Sequence, residues 1–212
     1  MQIAILLFDR FTALDAVGPY EVLRNLPEAD LEFVATSTGP VRADSRSLAL
    51  VADATLAEVP HPDIVVVPGG PGQVQAERDD AILDWLRTAH ETTTWTTSVC
   101  TGALVLGAAG ILEGRRATTY WLALEQLAAH GAIPTDERVV IDGKVVTAAG
   151  VSSGIDMGLT LAREIGGDDL SRLIQLGIEY DPQPPFDCGS EAKAPAHISA
   201  FFRDNSRFVL EG

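Results

Sequence analysis

The chain has 212 residues, 46% of them hydrophobic, which is enough to bury a full core, and a single compact domain over residues 1–212 is expected. A formal charge of -15, from 30 acidic against 15 basic residues, repels phosphate backbones and anionic lipid, so nucleic acid and membranes are disfavoured as partners. The opening MQIAILLF stops at Asp9 without a basic leader, and no apolar run approaches the roughly 18 residues of a membrane span, so a soluble, cytoplasmic protein is expected.

In chain order, QIAILLF (2 to 8) is an unbroken apolar run of the kind found in strands covered on both faces. PYEVLRNL (19 to 26) places Val22, Leu23 and Leu26 on one helical face, with Pro19 suited to a first turn. LEFVAT (31 to 36) reads as a weaker strand, and DIVVVP (63 to 68) as a second buried one. Residues 79 to 90 form an amphipathic helix through Ile82, Leu83, Trp85 and Leu86, and TTWTTSV (93 to 99) returns to strand. CTGALVLGAAGIL (100 to 112) is apolar nearly all round, hence a central helix. VSSGIDMGLTLAREIGG carries Ser153 three residues before Asp156, a capping-box spacing, and should stop at Gly166-Gly167.

Strand and helix alternate over the first 165 residues, which predicts an α/β fold: a three-layer α/β/α sandwich around a mostly parallel central sheet. After Tyr180, DPQPPFDCGSEAKAP is too rich in proline for helix or central strand and should cross the surface before a short helix near 195 to 206. A helix-turn-helix module does not fit in what remains.

Open α/β sheets bind ligands outside the carboxyl ends of their strands. Three segments converge there: Asp15 after the first strand, PGGPG (68 to 72) after the second buried strand, and Cys100 after TTWTTSV. A thiol where strand enters helix meets unpaired amides and the positive end of the dipole, which favour thiolate. The alternative is a buried cysteine packed as a small hydrophobe, and Thr101 and Gly102, which leave room after it, favour the nucleophile. Gly69 and Gly70 serve a tight turn or, with the Thr101 amide, an anion pocket. Asp15 is either a loop carboxylate or the acid partner of Cys100; Glu21 is the competitor, expected to face solvent or a neighbouring helix. A carboxyl beside a thiolate should hold its proton more firmly than an isolated one. Tyr120 and Trp121, in RRATTYW, could line the pocket. No histidine is forced near Cys100, and the four histidines are scattered, which argues against a zinc site. Cys100 and Cys188 lie far apart without secretory context, so reduced thiols are expected.

With these residues in place, the chain resembles the ThiJ/PfpI superfamily of class I glutamine-amidotransferase-like proteins through LLFDRFTALDAVGPYEVL, VVVPGGPG and SVCTGALVLGAAGILEGRRATTYW. Within it, SVCTG combined with IEYDPQPPFDCGSEAKAP is similar to the isonitrile hydratases. The resemblance implies a flavodoxin-like fold with a nucleophile elbow at Cys100, an acidic partner at Asp15, a threonine at Thr101, a homodimer, and neither metal nor organic cofactor. Many relatives have histidine where this chain has Tyr120, and no role is carried onto Cys188. The expected activity is hydration of a small isocyanide through a covalent cysteine thioimidate. A glyoxalase or deglycase acting on methylglyoxal, a peptidase or amidase, and a non-enzymatic redox sensor oxidised at Cys100 are the alternatives.

Overall fold

The computed structural model describes residues 1–205. In chain order the elements are β1 (Gln2–Leu6), α1 (Ala13–Leu23), β2 (Asp30–Ala35), β3 (Gly39–Arg42), β4 (Ala49–Ala52), β5 (Ala54–Thr55), β6 (Ile64–Val67), α2 (Gln73–Ala76), α3 (Asp80–Thr92) and β7 (Trp95–Val99). There follow α4 (Gly102–Ala108), β8 (Arg116–Ala117), a 3-10 segment (Trp121–His130), β9 (Ile133–Pro134), β10 (Val139–Asp142), β11 (Val145–Ala148), α5 (Ser153–Gly177), a 3-10 turn (Glu191–Lys193) and α6 (Ala196–Asn205).

Seven strands form the central sheet in the order β10-β11-β7-β6-β1-β2-β5, parallel except for the β10–β11 pair. Registers run Ile5 beside Phe33 and Val66, and Val67 beside Ser98. Helices α1 and α5 pack together against one face; α3 and α4 pack together against the other. This is the three-layer sandwich with the strand order of flavodoxin-like folds, whose switch point lies between β1 and β6. The continuous Ile/Val/Leu runs of β1 and β6 follow from that position, since a strand between two helical layers has no solvent face to alternate toward.

Several boundaries differ from the sequence reading for identifiable reasons. Helix α1 begins at Ala13, so Asp15 lies in its first turn, and Pro19 sits inside the helix rather than at its start. A proline there removes the amide that would bond the carbonyl of Asp15. Helix α4 ends at Ala108, and the chain turns through Gly110 and Gly114, both at positive φ. The capping box at Ser153 does not form: Ser152 is the N-cap, and Asp156 pairs instead with Arg138. Helix α5 kinks at Gly167 (φ 83°, ψ 176°) and continues to Gly177 instead of stopping. The β10–β11 hairpin was not anticipated, although Asp142-Gly143 between two valine pairs is a hairpin-turn signal. The segment after Tyr180 is the surface excursion expected, and of the terminal helix Ala196–Asn205 is seen while residue 206 lies outside the described residues. None of the described helices is long and apolar enough to cross a membrane.

Candidate active site

Three strand ends meet at the switch point, and each carries one part of the site. Cys100 follows β7, in the left-handed region at φ 56°, which costs a non-glycine residue about 1–3 kcal/mol. It is held there because its N–H donates to the carbonyls of Ala148 (3.1 Å) and Ala149 (2.8 Å) at the end of the neighbouring β11. From the other side, the hydroxyl of Thr119 donates to the Cys100 carbonyl at 2.7 Å. The result is a sharp strand-to-helix turn with the thiol at its apex.

Asp15 reaches this apex from α1. Its carboxyl hydrogen-bonds the Cys100 thiol, and its Oδ2 accepts the Gly69 N–H at 2.9 Å. Gly70, after β6, donates its N–H to Thr101 Oγ1 at 3.0 Å, and the Gly69 carbonyl accepts the Thr12 N–H at 2.8 Å. Both glycines are required by close approach. A Cβ on Gly69 would lie 2.5 Å from Thr101 N, 2.6 Å from Thr101 Oγ1 and 3.0 Å from Cys100 Cβ; one on Gly70 would lie 2.5 Å from Thr12 N, at a φ of +132°. These amides do not form the anion pocket considered from the sequence. They are engaged, one orienting the carboxyl and the other the threonine.

Burial sets the electrostatics. Cys100 and Asp15 are 0% exposed and Thr101 is 1% exposed. The thiol is pushed well above its ordinary value, first by burial, then by the Asp15 carboxylate. Hydrogen bonds from the Val151 and Thr101 backbone to the sulfur pull the other way without prevailing. The thiolate expected from a helix start is therefore corrected: desolvation in a closed site outweighs the amides of a seven-residue helix. Two anions in contact inside the fold disfavour each other, so the pair keeps a proton between its sulfur and carboxyl.

Tyr120 and Trp121 follow directly from Thr119. Tyr120 is buried, with its ring against Gly150, where an added Cβ would lie 2.9 Å from Cδ2, and its centroid is 6.0 Å from that of Trp121. Trp121 faces a groove of about 100 Å³ formed with the C-terminal segment. Glu21, half-buried, pairs with Arg24 at 2.9 Å and is not among the groups acting on the thiol. His90 is tied to Thr96 and His61 to Thr92, both at the opposite ends of the strands. A larger cleft of about 440 Å³, lined by Arg87, His90 and Arg115, lies at that same far end and is not part of this site. Cys188 is a free thiol lining the Trp121 groove. Among the described residues, no group of three or more His, Cys, Asp or Glu is placed to hold a metal.

Sequence reasoning assigned no role to Thr119 or Val151. The Thr118-Thr119 pair ahead of two aromatics is visible in the sequence, but its contact with the elbow depends on the chain returning to the sheet, where the Thr118 N–H donates to Thr147 Oγ1 of β11. Val151, at φ 25°, serves through its backbone and had no sequence signal.

The DJ-1/PfpI family model matches residues 1–164. Isonitrile hydratase from Pseudomonas putida is 44% identical over 198 residues, covering 93% of this chain and 86% of that protein. A solved ThiJ/PfpI family protein from Pseudomonas syringae superposes with a TM-score of 0.93 at 39% identity, over 96% of this chain and 84% of that one. The HTH-type transcriptional regulator CdhR of Pseudomonas aeruginosa is 32% identical over 78% of this chain, which spans only 51% of the regulator's length.

Proposed function

The chain belongs to the DJ-1/PfpI family, and from that premise together with the buried Cys100–Asp15 contact we propose that it is an isonitrile hydratase. The reading covers the chain as one catalytic unit acting as a homodimer, with an isocyanide as substrate. The single observation that carries it is a cysteine and a carboxyl in direct hydrogen-bond contact, enclosed by apolar and hydroxyl groups. Similarity over 93% of the chain to an isonitrile hydratase supports the same substrate class.

An isocyanide, R–N≡C, is neutral and compact, which suits a closed site. Its terminal carbon accepts a nucleophile only if a proton arrives as the bond forms. Cys100 sulfur bonds that carbon, and the proton held by the Cys100–Asp15 pair is delivered by Asp15 to the same carbon, giving a thioimidate, R–N=CH–S–Cys. Asp15, now a carboxylate, takes a proton from water as the oxygen adds to the thioimidate carbon and passes that proton to nitrogen, giving R–NH–CH(OH)–S–Cys. The tetrahedral adduct collapses as its hydroxyl proton passes through Asp15 to the departing sulfur, the carbon–sulfur bond breaks and R–NH–CHO leaves. One water proton ends on nitrogen and the other returns to the pair.

A protonated resting pair serves this chemistry better than a free thiolate, because each catalytic cycle begins with a proton donation. Gly69 orients Asp15 through its amide, and Gly70 fixes the Thr101 hydroxyl, while the Thr101 backbone bonds the sulfur. Losing general acid–base help from one carboxyl typically costs about 10²–10⁴-fold.

The test mixes purified protein with alkyl isocyanides and follows the N-substituted formamide by mass spectrometry. Cys100→Ser should abolish turnover and Asp15→Asn should reduce it within that range. Undiminished turnover in Cys100→Ser removes the covalent mechanism. Consumption of methylglyoxal with lactate formation, and no formamide, would assign the site to a glyoxalase instead.

A further inference from the structure

The stretch 149–151, between β11 and α5, touches the reacting residue twice. The Val151 N–H donates to the Cys100 sulfur, and the Ala149 carbonyl accepts the Cys100 N–H at 2.8 Å. Val151 does this at φ 25°, a conformation that a β-branched residue keeps only where its surroundings fix it. The residue that brackets the stretch is Arg138. Its carbonyl accepts the Ala149 N–H at 2.9 Å, which ties one end of the stretch to the residue before β10. Its guanidinium grips the other end, donating to Ser152 Oγ at 3.2 Å and pairing with Asp156 in the first turn of α5. The Tyr180 phenol completes the set by donating to Asp156 and accepting from Arg138. Burial first, and then the Asp156 carboxylate, push its ionisation upward, so it stays a donor. Glu137, the neighbouring acid, is paired with Arg116 instead.

We infer that Arg138 is a positioning residue of the site: together with Asp156 and Tyr180 it clamps residues 149–152 so that the Val151 amide stays on the Cys100 sulfur. Arg138 does not touch the sulfur and acts through the backbone it holds. Its side chain is 48% exposed and that of Asp156 29%, so the ion pair contributes little to folding and its effect is on geometry. Arginine suits the task because Nε serves Asp156 while Nη2 serves Ser152, two partners at once from one planar group, which the single ammonium of lysine reproduces only in part. The consequence falls on the nucleophile. The Val151 and Thr101 amides are the two backbone donors that oppose burial and Asp15 at the thiol, so losing one of them makes the sulfur harder to ionise.

The test follows alkylation of Cys100 by iodoacetamide between pH 7 and 9 in Cys188→Ser protein, where Cys100 is the remaining thiol. Asp15, the titratable group acting on the sulfur, is unchanged in every variant. Arg138→Gln should be alkylated about tenfold more slowly at each pH, the scale on which one lost hydrogen bond to a charged group acts. Arg138→Lys should recover part of the rate. Ser152→Ala, which removes only the grip next to Val151, should slow it in the same direction by less. Arg172→Gln breaks exposed ion pairs to Asp168 and Asp169 later in α5 and should match the parent protein. The kinetic consequence rests on the proposed hydration: in formamide production Arg138→Gln should lower kcat and leave KM unchanged.

An unchanged alkylation rate in folded Arg138→Gln overturns the clamp. A faster rate overturns it as well, because the arginine would then only be closing the site against reagent. Should Arg138→Gln fail to fold, the same readings in Ser152→Ala decide. Slowed alkylation in the variants together with no formamide from the wild type would remove the proposed function and leave the clamp standing.

Discussion

Gly69→Ala tests the proposition that close backbone approach holds the acid against the sulfur. The added Cβ would meet Thr101 N at 2.5 Å and Thr101 Oγ1 at 2.6 Å, both from a part of the chain fixed by β7 and α4, so the 68–72 loop must withdraw. Withdrawal lengthens the 2.9 Å bond from Gly69 N–H to Asp15 Oδ2 and the 3.0 Å bond from Gly70 N–H to Thr101 Oγ1, both buried. A hydrogen bond to a charged group contributes about 1.5–3 kcal/mol and a neutral one about 0.5–1.5 kcal/mol. With the strain of overpacking, about 1–3 kcal/mol, the expected destabilisation is at least about 3 kcal/mol. For a chain of this length that lowers Tm by about 6–12 °C. Because Asp15 loses its orienting donor, kcat/KM should fall by about 10²-fold, the scale associated with ångström misplacement of a catalytic group. The assays are thermal unfolding and formamide production. Gly177→Ala is the control: its Cβ meets nothing within 4 Å, so it should leave both readouts close to wild type. A Gly69→Ala protein melting within about 2 °C of wild type, with undiminished kcat/KM, would refute the close-approach argument.

Thr119→Val removes the donor to a buried carbonyl at 2.7 Å and should cost about 1–3 kcal/mol, measured as a fall in denaturant midpoint, together with reduced turnover as the elbow loosens. The burial-raised Cys100 thiol predicts a pH effect on stability. The folded chain keeps this proton at pH values where the unfolded thiol, near about 8.5, has released it, so stability should decline as pH rises above that value; Cys100→Ala should lack this component in unfolding curves taken from pH 7 to 10. Asp15→Asn removes the neighbouring carboxylate that raises the thiol, so alkylation of Cys100 in denaturant-free protein should begin at lower pH while formamide production falls. Faster turnover in that variant would contradict the role of Asp15 as proton donor.

Much of the architecture was legible from local pattern. Unbroken β-branched runs at 2 to 8 and 63 to 68 indicate strands without a solvent face, and only a layered parallel sheet supplies that environment. That reasoning also placed Asp15, Gly69, Gly70 and Cys100 on one sheet edge, because parallel strands deliver their following turns to the same side. It was less secure wherever a residue's role depends on a partner distant in sequence. Local preference puts Pro19 at a helix start, whereas α1, packed against α5, runs continuously through it. Ser153 and Asp156 have capping-box spacing, yet Arg138, in the bend just before β10, pairs with the carboxylate.

What the sequence alone determined is the layered fold and the identity of the residues gathered at its edge, since hydrophobic period and turn chemistry are local properties. Only the tertiary structure decided their state. Complete enclosure of Cys100 reverses the protonation a helix start by itself would favour, and the two glycine amides orient side chains instead of awaiting an anion. Desolvation and hydrogen-bond competition are set by everything packed around a group, and no stretch of neighbouring residues records that.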